Sequence, residues 1–506
     1  MMTKGVVMRS RKLLYNTISS FVFQITTILC GFILPRLILS NFGTEINGLV
    51  NSITQFLGLI SFLELGVGAV VQSSLYKPLA DKDEDSVSKI IASADKFFKK
   101  LGFILFIYVI ILVIFYPIFV NQNFGFFYVA FLVVVLSISS FAQYLFGIVN
   151  RLLLTADQKG YIQYTVQTVA VILNTFACFV LIYLGCGIHL VKLATSLIYL
   201  MQPFLVYLYV KNHYKINKKI KYTVEPIKQK WNGIAQHVAA VILDSTDIVV
   251  LSTFATLSDV SIYSVYFFVV RGVKQLFLSM TNGITSLIGE LWAKQELDNL
   301  KNLFGWIEWV IHTGTVFVFG VTAVLIVPFV QVYTKGVNDA NYIQPLFGIL
   351  IVLANAGHCL RLPYNIMILA GGHYKQTQNN YIIAALLNIV VSVLAVKKFG
   401  LIGVTFGTLL AMLYQTIWMA YYDSNNLIKW PFKNFVKQML IDIITFVSMY
   451  IMTKVFVLKI VSYIGWFLLA IEVSMVGLIV VILINCIFYK KYINKFYKSI
   501  KSKISK

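Results

Sequence analysis

Charged side chains stand inside apolar stretches of this chain, and their chemistry needs an explanation. Arg271 and Lys274 lie almost at the centre of the run SIYSVYFFVVRGVKQLFLSMTNGI, residues 261 to 284. If this run crosses a lipid bilayer, each charge opposes insertion by roughly 2.5 to 3.5 kcal/mol. A hydrated cavity that binds an anion would offset that energy. The pair therefore indicates an anion-binding site within the membrane.

Other polar residues of the same run share its basic face. At the helical period, Ser264, Arg271, Gln275 and Asn282 fall within about 40 degrees of one another, and Lys274 lies at the edge of that stripe. Arg offers a planar fork of donors to a phosphate, and Lys offers a point charge. The alternative is that Arg271 and Lys274 pair with buried acids and only hold helices together.

Three more stretches place basic residues at membrane depth. In NAGHCLRLPYNIM, His358, Arg361 and Asn365 share one face around Pro363, which could kink the helix. Lys192 could reach either a cavity or the outer headgroups. Arg36, in ILPRLIL, is nearer a helix end, where extension to the interface is the simpler expectation, so it is a weaker candidate for cargo contact.

Acidic residues predict a second kind of site. In QHVAAVILDSTDIVV, His237 and Asp244 share one helix face, and Asp247 lies one turn beyond; Glu64 stands in FLELGVG. Carboxylates at that depth must be paired, neutral or bound to a cation. One hypothesis is that these four residues couple transport to Na⁺ or H⁺.

The alternative for Asp244 and Asp247 is that they form salt bridges with Arg271 or Lys274 on the next helix. Asp442 and Glu472 are expected at helix packing contacts. No metal site and no disulfide framework is expected, since the five cysteines are scattered and have no partners at zinc spacing.

The elements that must position these residues are membrane-spanning helices. The chain has 506 residues, of which 59% are hydrophobic and 12% charged, and apolar stretches long enough to span recur throughout. The net charge of +22 is concentrated beside the spans, as in RSRK and residues 211 to 230 and 489 to 506. This distribution indicates topology and contact with anionic lipids, and it argues against nucleic-acid binding.

Hydropathy predicts an all-α integral membrane protein with fourteen transmembrane helices. The predicted helices cover residues 13–39, 46–75, 97–120, 126–152, 162–184, 188–210, 232–255, 260–289, 303–331, 342–370, 377–396, 401–422, 435–456 and 461–488. Because Lys and Arg concentrate in alternate loops, both termini are expected in the cytoplasm. The first apolar run is too long for a signal peptide and is expected to remain as the first span.

A weak internal repeat divides the first twelve helices into six and six. A shift of 213 to 214 residues pairs Ala156 with Ala370 and Asn174 with Asn388. Two units with even numbers of spans insert in the same direction. The predicted domains are an N-lobe (1–210), a basic cytoplasmic linker (211–230), a C-lobe (231–422), and the last two helices with a basic cytoplasmic tail (423–506).

This six-plus-six-plus-two pattern resembles the polysaccharide exporter (Wzx-type) flippases of the MOP superfamily, which also contains the MurJ lipid II flippases and the MATE exporters. The resemblance rests on FGTEINGLVNSITQFLGLISFLELGVGAVVQSSLYKPLA and DIVVLSTFATLSDVSIYSVYFFVV, and it extends over nearly the whole chain. It implies two six-helix lobes in a V shape around a cavity that opens alternately to either side. It also implies a polyprenyl-pyrophosphate-linked oligosaccharide as cargo.

The leading hypothesis is therefore a plasma-membrane flippase for polysaccharide biosynthesis, with no catalytic residues and no cofactor apart from Na⁺ or H⁺ as a coupling ion. Polysaccharide polymerases and glycosyltransferases are the partner proteins that such a role would involve. A lipid II flippase and a cation-coupled drug exporter remain alternatives, although five basic residues within the spans argue against the exporter. A membrane glycosyltransferase or polymerase would need a large outer loop or an exposed acidic pair, and neither is present.

Overall fold

The chain folds into long helices, and the part that a computed structural model describes contains no strand. The described residues are 2–64, 66–120, 124–217, 220, 222, 225–227, 234–454, 462–490 and 492–493. Within them, the side chains of residues 2–13, 69, 120, 234–236, 279–283, 286, 293, 374 and 454 lie outside the description. The chain separates into two compact units, Met1–Val241 (unit 1) and Ile242–Lys506 (unit 2).

Unit 1 is a bundle of seven α-helices and two irregular segments. The α-helices are α1 (Met2–Gly58), α2 (Val67–Asp81), α3 (Glu84–Val120), α4 (Phe126–Ala142), α5 (Ile148–Ala156), α6 (Gly160–Tyr183) and α7 (Ile188–His213). A 3₁₀-helix (Leu59–Glu64) follows α1, and a π-helix (Gln143–Gly147) joins α4 to α5. Apolar faces of α1, α4 and α7 pack within this bundle, and α6 lies against both α1 and α7.

Unit 2 contains most of α8 (Ile234–Phe254), which crosses the boundary between the units, and all the helices after it. These are α9 (Leu257–Ala293), α10 (Leu297–Tyr333), α11 (Pro345–Leu360), α12 (Leu362–Ala370), α13 (Tyr374–Asn426), α14 (Phe432–Lys454) and α15 (Tyr463–Phe488). Helix α10 is the central element, because α9, α11, α14 and α15 all pack on it. The last two helices therefore belong to the same compact unit as α8 to α13.

Several predicted helices are interrupted or joined in the structure. The predicted span 46–75 breaks after Gly58, passes through the 3₁₀-helix and restarts at Val67, after Gly66 in the left-handed region (φ 72°). Predicted span 342–370 breaks at Arg361, just before Pro363. Conversely, α1 and α13 each join two predicted spans, with non-helical residues at Gly43 and Gly400. Glycine permits these positive φ angles, which hydropathy does not register.

Among the described residues, eleven helices are long and apolar enough to cross a membrane. Two of the eleven contain the breaks at Gly43 and Gly400, and α9 is not counted among them. The chain is a multi-pass membrane protein. The number fourteen and the boundaries of the predicted lobes stay predictions.

Candidate functional site

A polar cavity with a volume of about 550 Å³ lies inside unit 1. Its charged lining residues are Glu64, Arg151 and Lys192. The uncharged polar side chains around it come from helices α1, α4, α6 and α7 and from the two irregular segments: Thr54, Ser61, Ser139, Ser140, Gln143, Tyr144, Asn174, Thr195, Ser196 and Tyr199. We refer to this space as the unit 1 cavity.

Irregular backbone forms one wall of the unit 1 cavity. Glu64 ends the 3₁₀-helix, and its Oε1 accepts a hydrogen bond of 2.7 Å from the hydroxyl of Tyr144, which lies on the π-helix. Within a membrane, non-helical backbone is tolerated where it lines a cavity, and π-helical turns are frequent at functional sites. The two breaks are therefore expected features of a ligand cavity.

Lys192 supplies a buried positive charge to this cavity. Only 7% of the residue is exposed, although it lines the cavity. Within the described part of the chain, no carboxylate lies within ion-pair distance of its ammonium group. With Arg151 also in the wall, the described charged groups of the cavity sum to one positive charge. Such a site is complementary to an anion.

A second cavity of unit 1, of about 280 Å³, adjoins the first. The two share Ser139, Ser140, Gln143 and Tyr199, and the second adds Gln167 and Gln202. Carboxamides both donate and accept hydrogen bonds, so three glutamines at one surface suit a ligand rich in hydroxyl groups.

The acids of α8 line a much smaller cavity in unit 2, which has room for about one water at 20 Å³. We refer to it as the unit 2 cavity. Asp247 is buried there and accepts hydrogen bonds from Tyr263 (2.8 Å) and from Thr408, whose hydroxyl lies 2.6 and 2.8 Å from the two carboxylate oxygens. Asn388 in turn donates to the Thr408 hydroxyl at 2.9 Å. This carboxylate is therefore held by hydroxyl groups and has no salt bridge within the described chain.

Asp244 and Lys274 form an ion pair at the same cavity. Lys274 Nζ lies 3.1 Å from Asp244 Oδ1, and the exposed fractions of the two side chains are 9% for Lys274 and 62% for Asp244. Of the salt bridges considered from the sequence, the structure therefore contains the one between Lys274 and Asp244. The carboxylate end of the pair remains accessible, and the ammonium end is enclosed.

Arg361 and His358 complete the basic side of this region. Arg361 Nη2 lies 3.2 Å from His358 Nδ1, and His358 lines the unit 2 cavity together with Asn355. Arg361 is buried, and its Nε and Nη1 have no hydrogen-bond partner among the described residues. A buried guanidinium with free donors is ready to receive an acceptor.

The rest of the predicted basic stripe on α9 is distributed differently. Arg271 and Gln275 are exposed, whereas the Ser264 hydroxyl donates to the carbonyl of Val260 in its own helix at 2.7 Å. The side chain of Asn282 lies outside the described residues. Asn365 accepts a short hydrogen bond from Tyr381 and is occupied by it.

The four residues predicted for ion coupling do not come together. Asp244 and Asp247 line the unit 2 cavity, but Glu64 belongs to the unit 1 cavity. His237 Nε2 lies 3.1 Å from the carbonyl oxygen of Ser61 within unit 1, although His237 and Asp244 share a helix face. Arg36 is half-buried on α1 and is not among the residues that line the unit 1 cavity.

The internal repeat relates the two cavities position by position. With the same shift of 213 to 214 residues, Lys192 corresponds to Thr405, and Leu34 corresponds to Asp247. All four residues line the cavity of their own unit. The same holds for Thr54 and Phe267, Ser61 and Lys274, Ser140 and Ala354, Tyr144 and His358, Thr195 and Thr408, and Tyr199 and Met412. At this offset, lining residues of the unit 1 cavity correspond to lining residues of the unit 2 cavity, and the charges at corresponding positions differ.

Several lining residues were not anticipated from the sequence. Arg151 lies at the end of the predicted helix 126–152 but was not among the candidate residues, and Tyr144, Tyr263 and Thr408 carry no signal of their own in an apolar helix. The predicted repeat could have indicated some of these residues, because it pairs Asn174 with Asn388. Asn174 lines the unit 1 cavity, and Asn388 donates to Thr408 at the unit 2 cavity.

Solved structures with a similar fold include a lipid flippase and several membrane transporters. A lipid II flippase MurJ in an inward closed conformation superimposes with a TM-score of 0.69 at 16% identity, over 95% of this chain and 100% of that one. The chain therefore shares the fold of this flippase. A eukaryotic MATE transporter shares it with a TM-score of 0.58 at 12% identity, over 86% of this chain and 100% of that one.

A MOP transporter from Pyrococcus furiosus, described as having a binding pocket of reversed polarity, also has this fold. It matches with a TM-score of 0.55 at 12% identity, over 82% of this chain and 95% of that one. No protein-family model matches the chain, and no curated protein matches it. At these identities the comparisons establish the fold, so cargo must be argued from the residues of the two cavities.

Proposed function

We propose that this protein is a flippase that carries a polyprenyl-pyrophosphate-linked oligosaccharide from the cytoplasmic to the outer leaflet of the plasma membrane, for cell-surface polysaccharide synthesis. The observation that carries this proposal is Lys192, a buried ammonium group that faces a polar cavity of about 550 Å³ inside a transporter fold and has no described acidic partner. The two lobes would expose the cargo alternately to either side, and no covalent chemistry is required.

The electrostatics of the unit 1 cavity favour a phosphate-bearing cargo. A lone ammonium at membrane depth is unfavourable unless a counter-charge or water compensates it. Glu64 already accepts a hydrogen bond from Tyr144, and Arg151 adds a second cation to the wall. A pyrophosphate would supply the missing negative charge and accept charge-assisted hydrogen bonds from Lys192 and Arg151. Arg271, which is exposed on α9, is proposed as a further contact.

The neighbouring cavity supports a sugar as the remainder of the headgroup. Gln143, Gln167 and Gln202 present amide groups there, and Tyr199 presents an aromatic ring. Amides can satisfy sugar hydroxyl groups in pairs, and a ring can cover an apolar sugar face. A small apolar drug would leave these amides without partners, at a loss of about 1–3 kcal/mol each.

We further propose that the unit 2 cavity binds the coupling ion, Na⁺ or H⁺, at Asp247. This carboxylate has two hydroxyl groups around it and no salt bridge, so a proton or a small cation can neutralise it. Occupancy can bias a two-state equilibrium only through differential affinity for the two states. Ion gradients should therefore change the rate of transport and not only the affinity for cargo.

The decisive experiment is translocation in vesicles containing the purified full-length protein, with defined polyprenyl-linked sugars and with and without Na⁺ and pH gradients. Lys192→Met preserves the length of the side chain and removes its charge. We expect a decrease in transport of about 10- to 100-fold, the equivalent of one charge-assisted hydrogen bond. Lys294→Met is the control, since Lys294 is exposed and paired only with Glu290 on its own helix.

Normal transport by Lys192→Met would reject the role of the unit 1 cavity. Normal transport by Arg271→Ala would reject only the additional contact on α9, because that residue lies outside the cavity wall. Lys192→Met therefore tests the role of the unit 1 cavity, and Arg271→Ala tests the additional contact on α9.

A lipid II flippase is the second candidate, because the MurJ structure superimposes over 95% of this chain. Lipid II also carries a pyrophosphate, so Lys192 does not discriminate between the two cargoes. Competition in the same vesicles does: the stronger inhibitor of translocation, lipid II or a polyprenyl-linked oligosaccharide without peptide, identifies the preferred headgroup.

A further inference from the structure

A buried polar network in unit 2 lies apart from both cavities. Glu308 and His312 lie one turn apart on α10, Tyr364 comes from α12, and Asp442 comes from α14. All four are at least nine-tenths buried. In the proposed mechanism these four residues contact neither the cargo nor the coupling ion. The presence of buried ionisable groups in a membrane helix bundle therefore needs another explanation.

The hydrogen bonds of the network form one continuous chain. The hydroxyl of Tyr364 donates to Glu308 Oε1 at 2.6 Å, and the indole of Trp430 donates to Oε2 at 2.9 Å. Nδ1 of His312 lies 2.6 Å from Asp442 Oδ2, while its Nε2 lies 3.3 Å from the oxygen of Tyr364. The chain thus connects α10 and α12 with α14 and with the segment that precedes it.

The number of protons available to this hydrogen-bonded network indicates the charges of Glu308, His312 and Asp442. Tyr364 has one hydroxyl proton and gives it to Glu308, so its oxygen can only accept from His312. Both nitrogens of His312 therefore face acceptors, and the backbone carbonyl of Leu360 accepts from the same ring. An imidazole ring with two donor nitrogens is an imidazolium. The network is satisfied with His312 positive and with Glu308 and Asp442 negative.

Asp423 is the group that this arrangement leaves unsatisfied. It lies on α13, is 1% exposed, and neither carboxylate oxygen has a hydrogen-bond partner among the described residues. The charge of Glu308 acts on it across the network. Ionised Asp423 would be a buried, unpaired anion beside a cluster that already has one negative charge in excess.

Among the described residues, the other titratable groups around Asp423 offer no compensating cation. Tyr364 faces it from α12, and Tyr422 is its neighbour on α13. Tyr489 and Tyr492, after α15, lie in the field of Glu308. Lys437 of α14 lies over the ring of Tyr489, with Nζ 5.1 Å from the centroid, and forms no ion pair with the described carboxylates.

We propose that Asp423 is a proton-binding residue, neutral in this arrangement, and that its ionisation loosens the attachment of α14 and the Trp430 segment to α10. The attachment is close-packed as well as polar. A Cβ at Gly305 would lie 2.5 Å from the Trp430 ring, so the indole rests directly on the α10 backbone. Repulsion from ionised Asp423 acts on Glu308, which is the acceptor for both Trp430 and Tyr364.

Infrared difference spectroscopy tests the proton directly. The full-length protein in lipid vesicles should show the carbonyl stretch of a protonated carboxyl group at neutral pH, and this band should disappear with rising pH. Asp423→Asn should remove that component, whereas Asp298→Asn, at an exposed carboxylate near the start of α10, should leave it unchanged. Identical spectra of wild type and Asp423→Asn would show that Asp423 is ionised and would overturn the proposal.

Thermal unfolding tests the consequence for α14. Because the unfolded chain ionises this aspartate above about pH 4 while the fold keeps it neutral, wild type should lose stability as pH rises from about 4 until the folded group ionises, more steeply than Asp423→Asn. Equal slopes would refute the loosening. If Asp423→Asn does not fold, Glu308→Gln replaces it: removing the neighbouring charge should shift the infrared titration of Asp423 to lower pH, and no shift would refute the assignment.

Discussion

Replacing Gly407 with alanine tests how the Asp247 site is assembled. Gly407 lies in the second half of α13, after the break at Gly400, and packs against the first half of the same helix. A Cβ at this position would lie 2.9 Å from the backbone nitrogen of Ser392 and 3.1 Å from the carbonyl oxygen of Asn388. Backbone atoms cannot rotate away as a side chain can, so the two halves of α13 must separate.

The magnitude follows from these distances. Ordinary contacts of a methyl carbon are about 3.5–4.0 Å, so the halves must move apart by roughly 0.5–1 Å. Overpacking of this kind destabilises a close-packed interface by about 1–3 kcal/mol. Because Asn388 donates to Thr408 and Thr408 donates to Asp247, the same displacement should also weaken the hydrogen bonds around the carboxylate.

The assay is thermal unfolding of the full-length protein in detergent, with Gly289→Ala as the matched control. An added Cβ at Gly289, on α9, has no atom within 4 Å, so alanine there should be neutral or should stabilise the helix by up to about 1 kcal/mol. We expect Gly407→Ala to melt clearly below wild type and Gly289→Ala not to do so. Equal melting temperatures for the two variants would refute the close approach of the halves of α13.

Three further outcomes are expected. Asp247→Asn replaces the charged acceptor of the Tyr263 and Thr408 hydroxyls by a neutral amide, so two charge-assisted hydrogen bonds become ordinary ones and the free energy of unfolding should fall by about 1–3 kcal/mol; an unchanged melting temperature would contradict this. Tyr144→Phe removes the donor to Glu64 and should reduce cargo transport as well as stability, and normal values of both would argue against a shared role. Asp83 caps α3, and two hydrogen bonds from Ser86 lower its pKa. The bond from the Ser86 side chain has the larger effect, and the bond from its backbone N–H has the smaller one. That contribution is present above the usual pKa of an aspartate and is lost as pH falls, so the protection factors of the amides in the first turn of α3 should fall in acid in wild type but not in Asp83→Ala.

Hydropathy was sufficient to predict a multi-pass, all-helical membrane protein, because an uninterrupted apolar stretch can satisfy its backbone in lipid only as a helix. It could not predict where the helices break. The 3₁₀-helix before Gly66 and the π-helix after Ala142 lie in stretches as apolar as any other. Residues of both segments line the unit 1 cavity, a tertiary feature that hydropathy does not register.

The candidate residues follow the same division. Charge inside a span marked Lys192, Arg361 and Asp247 as residues that needed a partner. Which partner each one has depends on residues far away in the chain: Thr408 lies 161 positions from Asp247. Helical periodicity likewise predicted that Ser264 and Asn365 contact cargo. In the structure the Ser264 hydroxyl donates to its own helix, and Asn365 accepts a hydrogen bond from Tyr381.

The sequence by itself determined that this is a membrane protein with charges inside its apolar stretches, because those properties depend on composition and on local order along the chain. Only the tertiary structure decided that Lys192 lines a cavity of unit 1 and that Asp247 lines a cavity of unit 2. The physical reason is that the electrostatics of a buried group depend on every atom that replaces water around it. Those atoms come from helices that only folding brings together.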